Sequence, residues 1–195
     1  FGGGFYPLKG ELRQDGFVSG NFAWNLAPNG NAAPAPAILS ERQMFQTLTP
    51  HGFLKAAMAG NPTVATKTVS GKKMNVVTIT DQGKYKVNGY INGQNEIEKI
   101  ETWMPDPMLG DMLIDCSFSN YKDTSGVKFP MTIQCRKFNY PVLDLNVTEV
   151  VPNAPVNIAV PMNVQNAKPQ PLTFVSEKMG DGLWLMRGGI QSLGV

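Results

Sequence analysis

The spacing of hydrophobic positions changes along the chain, from a helical period to a strand period near residue 63. Two apolar stripes with helical spacing come first, and a capping box at Ser40–Gln43 opens the first of them. Thr49-Pro50 opens the second, since Thr suits the N-cap and Pro the first helical position. Gly60-Asn61-Pro62 then ends it. The pattern predicts two short helices, over about residues 40–48 and 50–59.

From Thr63 onward, apolar and polar residues alternate with the period of two that is typical of strands. At residues 112–119 and 143–148 one face is apolar and the other polar, as in an antiparallel sheet with one solvated face. Turn signals such as Ser125-Gly126 separate successive segments. The predicted strands are 63–69, 74–80, 84–91, 96–103, 112–119, 127–138 and 142–150. We therefore predict an α+β domain over residues 38–151, a curved antiparallel meander of about seven strands packed by two short helices.

The segments on either side of this domain differ from it in composition. Residues 1–37 combine Gly, Pro, Asn and Ala with scattered aromatics, which predicts an irregular arm pinned by its aromatics onto a neighbouring surface. Residues 152–173 are rich in proline and predict a linker. Residues 174–195 contain a fresh hairpin pattern around Gly180-Asp181-Gly182 and predict the start of a second domain. Both ends are expected to be interior to a longer polypeptide, a trimmed product being the alternative.

Composition and charge exclude several classes of function. The net charge of +2 comes without a long basic run, so no electrostatic case for a nucleic-acid partner exists. The longest apolar stretches are about half the length that spans a bilayer, so no transmembrane segment is predicted. One His and two Cys are few for a zinc site, which normally takes three or four ligands, mostly His or Cys. We expect no catalytic residue, no metal ligand and no cofactor in this chain.

Several longer segments carry a family resemblance. The stretch Gly83–Asn92, the triplet Glu101-Thr102-Trp103, the stretch Gly126–Pro130 and, upstream, Leu48–Ala57 resemble the N-terminal region of secreted bacterial metallo-β-lactamase-fold hydrolases. The likeness covers roughly residues 20–189. It implies a half-barrel domain similar to outer-membrane lipoprotein carriers, an extracytoplasmic location (secreted or periplasmic), and a downstream catalytic domain whose first hairpin is residues 174–195.

The resemblance implies a zinc metallohydrolase as the parent protein, while this chain alone lacks the metal ligands. The family's H-x-H-x-D-H motif is expected downstream, and where the family tends to have a His after Gly188-Gly189, this sequence has Ile190-Gln191. The leading function is a non-catalytic accessory domain that shapes access to the metal site or mediates self-association. The alternatives are a carrier module for a lipid or other apolar ligand, and a structural subunit of an extracellular assembly.

Cys116 and Cys135 are the first candidate site. Both lie at apolar positions in the alternating pattern of two neighbouring predicted strands. They are almost equally far from the turn between these strands. A four-residue loop at Asp123–Gly126 would make them diagonal neighbours, whereas a bulge would place them opposite each other and close enough for a disulfide. Reduced core cysteines, a disulfide and a reactive thiol all remain open.

Two further candidates concern the predicted helix–sheet interface. Six apolar side chains could line a pocket under the helices or simply fill the core: Tyr85, Tyr90, Ile91, Trp103, Phe118 and Phe129. His51, in the first turn of the second helix, is a weak polar candidate, since a helix N-terminus favours a neutral structural imidazole. The acids Glu96, Glu98 and Glu101 indicate a solvated strand edge, with a cation site as the alternative.

Overall fold

A computed structural model of the chain describes residues 15–106, 110–168, 174–188 and 193–194. The described residues form two compact units. One is Ser40–Ala159, and the other combines the residues up to Leu39 with those from Val160 onward. Each unit is built mainly from antiparallel strands.

The N-terminal segment forms a small sheet of its own. Strands β1 (Asp15–Ser19), β2 (Phe22–Leu26) and β3 (Ala32–Pro34) pair in sequence order. Phe17 lies directly opposite Trp24, and the two rings stack with centroids 5.2 Å apart. The prediction of an irregular arm is therefore wrong for residues 15–34, because these aromatics pair across two short strands. Residues 1–14 of the predicted arm lie outside the described residues.

The Ser40–Ala159 unit contains the predicted helices and sheet. Helices α1 (Leu39–Thr47) and α2 (Pro50–Ala59) come first. The strands after them are β4 (Thr63–Val69), β5 (Lys72–Asp81), β6 (Tyr85–Ile91), β7 (Ile97–Asp106), β8 (Gly110–Thr124), β9 (Val127–Lys137) and β10 (Tyr140–Asn146). They form one seven-stranded antiparallel sheet in sequence order, from β4 at one edge to β10 at the other. The predicted α+β class, with an antiparallel meander and two short helices, is confirmed.

The two helices begin in different ways. At α2 the predicted cap forms, because the Thr49 hydroxyl oxygen accepts from the Gly52 N–H at 3.1 Å. The prediction of Ser40 as the N-cap of α1 is wrong. The helix already starts at Leu39, and the Ser40 hydroxyl instead donates to Gln82 Oε1 at 2.6 Å. This hydroxyl ties α1 to the turn between β5 and β6.

The core of this unit lies between the helices and one face of the sheet, which we call the inner face. Met44 of α1, Leu48 between the helices and Phe53 of α2 are fully buried together with inner-face residues such as Ile100. The Phe53 ring occupies the space above Gly89, where a Cβ would come within 2.3 Å of it. The opposite side of the sheet is the outer face, and side chains alternate between the two faces along each strand.

The predicted C-terminal linker contains one element of regular structure. A short helix, α3 (Met162–Gln165), lies within the predicted linker, and the Asn163 amide donates to the Ala32 carbonyl at 2.7 Å. Strands β11 (Phe174–Gly180) and β12 (Leu183–Gly188) form the predicted hairpin, and β13 (Leu193–Gly194) pairs with β12. Residues 169–173 of the predicted linker lie outside the described residues.

Candidate functional site

The β8–β9 hairpin carries the two cysteines, and its turn sets their register. Thr124 pairs with Val127, so only Ser125 and Gly126 form the turn, and both have positive φ, 52° and 82°. This geometry is typical of tight two-residue hairpins. The four-residue loop that would make the cysteines diagonal neighbours does not occur. With the shorter turn Cys116 lies directly opposite Cys135 without any bulge.

Cys116 and Cys135 form a disulfide in the structure, with their sulfur atoms 2.03 Å apart. Both residues are buried on the inner face, beneath the helix pair. Of the three interpretations that the sequence leaves open, the structure has the cross-linked one. The bond joins the two longest strands of the sheet in the middle of the core.

The six candidate pocket residues lie on both faces of the sheet, so they do not line one pocket under the helices, which was one of the two alternatives that the sequence leaves open. Tyr85 and Phe118 are buried in the core, and Ile91 packs against it. Tyr90 and Trp103 lie on the outer face, because they alternate with the inward-facing residues Gly89 and Thr102. Trp103 is 56% exposed.

Phe129, the sixth candidate, contacts His51. Their rings stack with centroids 5.7 Å apart and an angle of 11° between the planes. His51 is half-buried at the start of α2. Within the described ranges, no group of three or more His, Cys, Asp or Glu side chains is arranged to hold a metal ion.

The three acids of β7 and the turn before it each meet a lysine. Glu96 lies 3.5 Å from the Lys128 ammonium, and Glu98 lies 3.5 Å from that of Lys72. Glu101 lies 2.6 Å from the Lys99 ammonium. The acids therefore occur as ion pairs with lysines. The prediction of a strand edge is wrong for Glu98 and Glu101, because β7 lies between β6 and β8 in the sheet.

A polar network on the outer face links three neighbouring strands. We call Asn88, Tyr90, Lys99 and Glu101 the outer-face network. The register places Tyr90 opposite Lys99 and Asn88 opposite Glu101. The Tyr90 hydroxyl donates to the Glu101 carboxylate, and the Lys99 ammonium lies 5.5 Å from the centre of the Tyr90 ring. Thr78 extends the network to β5 by donating to Asn88 Oδ1 at 2.8 Å.

The network fixes the protonation states of Tyr90 and Glu101. Burial, and then the hydrogen bond to Glu101, raise the pKa of Tyr90 to about 12. Burial alone would raise the pKa of Glu101, but Lys99, Tyr90 and Asn88 together bring it below its ordinary value. Tyr90 thus stays protonated and Glu101 ionised near neutral pH. A general acid or base needs a pKa near the working pH, so this pair is suited to cross-bracing the sheet rather than to proton transfer.

Sequence reasoning missed this network. It assigned Tyr90 to a pocket and Glu101 to a solvated edge. Asn88, Lys99 and Glu101 are nevertheless polar residues at alternate positions of two adjacent strands, so they share one face of the sheet. Only the register between β6 and β7, which includes a shift between Tyr90 and Ile91, brings them together.

Comparisons with known proteins add no relative to this picture. No protein-family model, no curated protein and no solved structure matches the chain. Among the described helices, none is long and apolar enough to cross a membrane. The function must therefore be inferred from the chain's own residues and contacts.

Proposed function

We propose that Ser40–Ala159 is a non-catalytic accessory domain of a secreted, zinc-dependent metallo-β-lactamase-fold hydrolase. In that role the domain shapes access to the catalytic domain or mediates assembly of the protein. The link to a hydrolase rests on the sequence resemblance of segments such as Gly83–Asn92 and Gly126–Pro130. The observation that supports an accessory role is a helix–sheet core filled by its own side chains and cross-linked through the β8–β9 hairpin. Such a core keeps a fixed shape, which a scaffold requires.

The filled core favours an accessory role over a lipid carrier. A carrier for an apolar ligand needs open space between its helices and its sheet. Here that space holds Met44, Leu48 and Phe53, each at most 1% exposed. The Phe53 ring reaches down to the backbone at Gly89, so the centre of the inner face is occupied by the protein itself.

The disulfide supports an extracytoplasmic location. Disulfides persist in oxidising compartments and are rare in the cytosol. Cys116 and Cys135 are only 1% and 4% exposed, so the bond is shielded from soluble thiols in the folded domain. A secreted or periplasmic parent protein would supply the required compartment.

The accessory role is tested by removing the domain from the natural gene. The full gene product and a variant lacking residues 40–159 are purified from the source, and zinc per chain is measured together with sedimentation. We expect the full product to contain zinc, the deletion to leave zinc per chain unchanged, and the sedimentation or the range of accepted substrate sizes to change. A full product without zinc, or zinc lost on deletion, would contradict the proposal.

A second measurement distinguishes the carrier. The full gene product from the same source is extracted with organic solvent, and lipids are counted per chain by mass spectrometry. We expect far less than one lipid per chain. One lipid per chain, retained by the full product and lost in the variant lacking residues 40–159, would favour the carrier instead.

A further inference from the structure

Strand β4 is an open edge of the seven-stranded sheet. Within the described part of the chain it pairs only with β5, through an unbroken register from Thr63↔Thr78 to Val69↔Lys72. Six of its seven side chains are exposed. An edge strand leaves the N–H and C=O groups of every second residue without a strand partner. β4 is therefore a regularly paired edge strand to which one more strand can be added.

The opposite edge of the sheet differs from β4. Strand β10 contains Pro141, which has no N–H to donate, and its register shifts between Pro141 and Leu143. Proline and bulges are two of the means by which natural sheets block their edges. The sheet is thus closed to pairing at β10 and open at β4.

The open edge is basic. The β4–β5 hairpin contains Lys67, Lys72 and Lys73, of which Lys72 is paired with Glu98, and its one acidic residue, Asp81, lies at the end of β5. Lys67 lies near the middle of β4 with its side chain exposed. In antiparallel self-pairing centred on Thr66, the two copies of Lys67 would lie diagonally across the new strand pair, and their charges would repel. The same lysine attracts a strand that carries carboxylates.

We propose that the β4 edge binds an extended acidic segment of a partner protein by strand addition. The backbone of β4 supplies the hydrogen bonds, and the ammonium group of Lys67 favours carboxylates on the added strand. This interaction does not depend on the accessory role proposed above, and its test uses a different measurement.

The test titrates the full 195-residue chain into a labelled peptide and follows fluorescence anisotropy. The probe is a fluorescein-labelled, end-capped Thr-Val-Glu-Thr-Glu-Thr-Val peptide, and the reference probe has Lys in place of each Glu. We expect the acidic probe to bind several times more tightly than the reference. A third probe, the acidic peptide methylated at alternate backbone nitrogens, keeps its charge but cannot pair as a strand, and we expect it not to bind.

A charge reversal locates the site. Lys67→Glu should weaken binding of the acidic probe by about fivefold, because an attractive cross-strand pair becomes repulsive. The matched control is Lys122→Glu, an exposed lysine on β8, which changes the net charge equally and should leave binding unchanged. Equal effects of the two variants, or equal binding of the methylated probe, would overturn the proposal. So would a dimer of the chain that competes with the probe, because a second copy would then occupy the edge.

Discussion

At the residue scale, the pairing of a very small and a large side chain defines the centre of the core. Gly89 faces Phe53 across the helix–sheet interface, and a Cβ at Gly89 would lie 2.3 to 2.9 Å from three ring atoms. Contacts that short are not tolerated, so either the ring or the strand would have to move. A single missing Cβ thus allows α2 to lie against β6.

We expect Gly89→Ala to destabilise the domain by about 1–3 kcal/mol through overpacking. Urea unfolding followed by tryptophan fluorescence measures the change in the free energy of unfolding. The control is Gly93→Ala, where the added Cβ would meet no atom within 4 Å. Equal stability of the two variants would mean that Phe53 does not fill the space above β6.

The outer-face network gives a prediction with a defined pH dependence. Because the folded-state pKa of Glu101 is lowered, its ionised form stabilises the fold above the unfolded value of about 4.3. That stabilisation is lost as the pH falls through this value and on through the lower folded pKa. We expect Glu101→Gln to cost about 1–2 kcal/mol at neutral pH and progressively less below about pH 4.

The Glu101 prediction is measured by urea unfolding of both proteins across this pH range. Glu149→Gln, which removes an exposed carboxylate, serves as the control and should match the wild type throughout. A constant deficit for Glu101→Gln from neutral to acid pH would show that the carboxylate charge is not what stabilises the network.

At the element scale, the β8–β9 hairpin is governed by its turn. Ser125 and Gly126 both adopt the left-handed backbone conformation, and Asp123 Oδ1 accepts from the Gly126 N–H at 2.9 Å. The tight turn places Cys116 opposite Cys135, equally far from it on the two strands. The turn and the disulfide therefore specify the same register from two ends of the hairpin.

We expect the double variant Cys116→Ala and Cys135→Ala to lose about 3 kcal/mol of stability, because the bond closes a loop with a sequence separation of 19 residues. Unfolding of the wild type with and without a reducing agent provides the control, and reduction should lower its stability by a similar amount. A wild type that is insensitive to reduction after unfolding would indicate that the two cysteines are not joined.

Periodicity predicted most of the elements but not the contacts between them. The bounds of α2 and β4 match the predicted bounds closely, because their spacing and caps are local properties. The cysteine register was left open by the sequence, since it depends on whether one turn is two or four residues long. The small sheet of β1–β3 was missed because its strands are only three to five residues long and are separated by Gly-, Asn- and Pro-rich turns.

At the scale of the whole molecule, the described residues form two units, one continuous in sequence and the other assembled from two separate segments. Ser40–Ala159 is one continuous segment with its own core, as expected for an independently folding domain. The other unit draws on both flanking segments, for which composition predicts an arm, a linker and a new domain. The proposed accessory role belongs to the continuous unit, while its link to a hydrolase requires a catalytic domain encoded downstream in the natural gene.

The most direct test of that link is the denaturing intact mass of the natural gene product recovered from its source. We expect a mass well above the 21.2 kDa of this chain, with tryptic peptides downstream of Val195 that contain the H-x-H-x-D-H zinc motif. A mass near 21.2 kDa would contradict the accessory role, because the chain would then act without a catalytic domain.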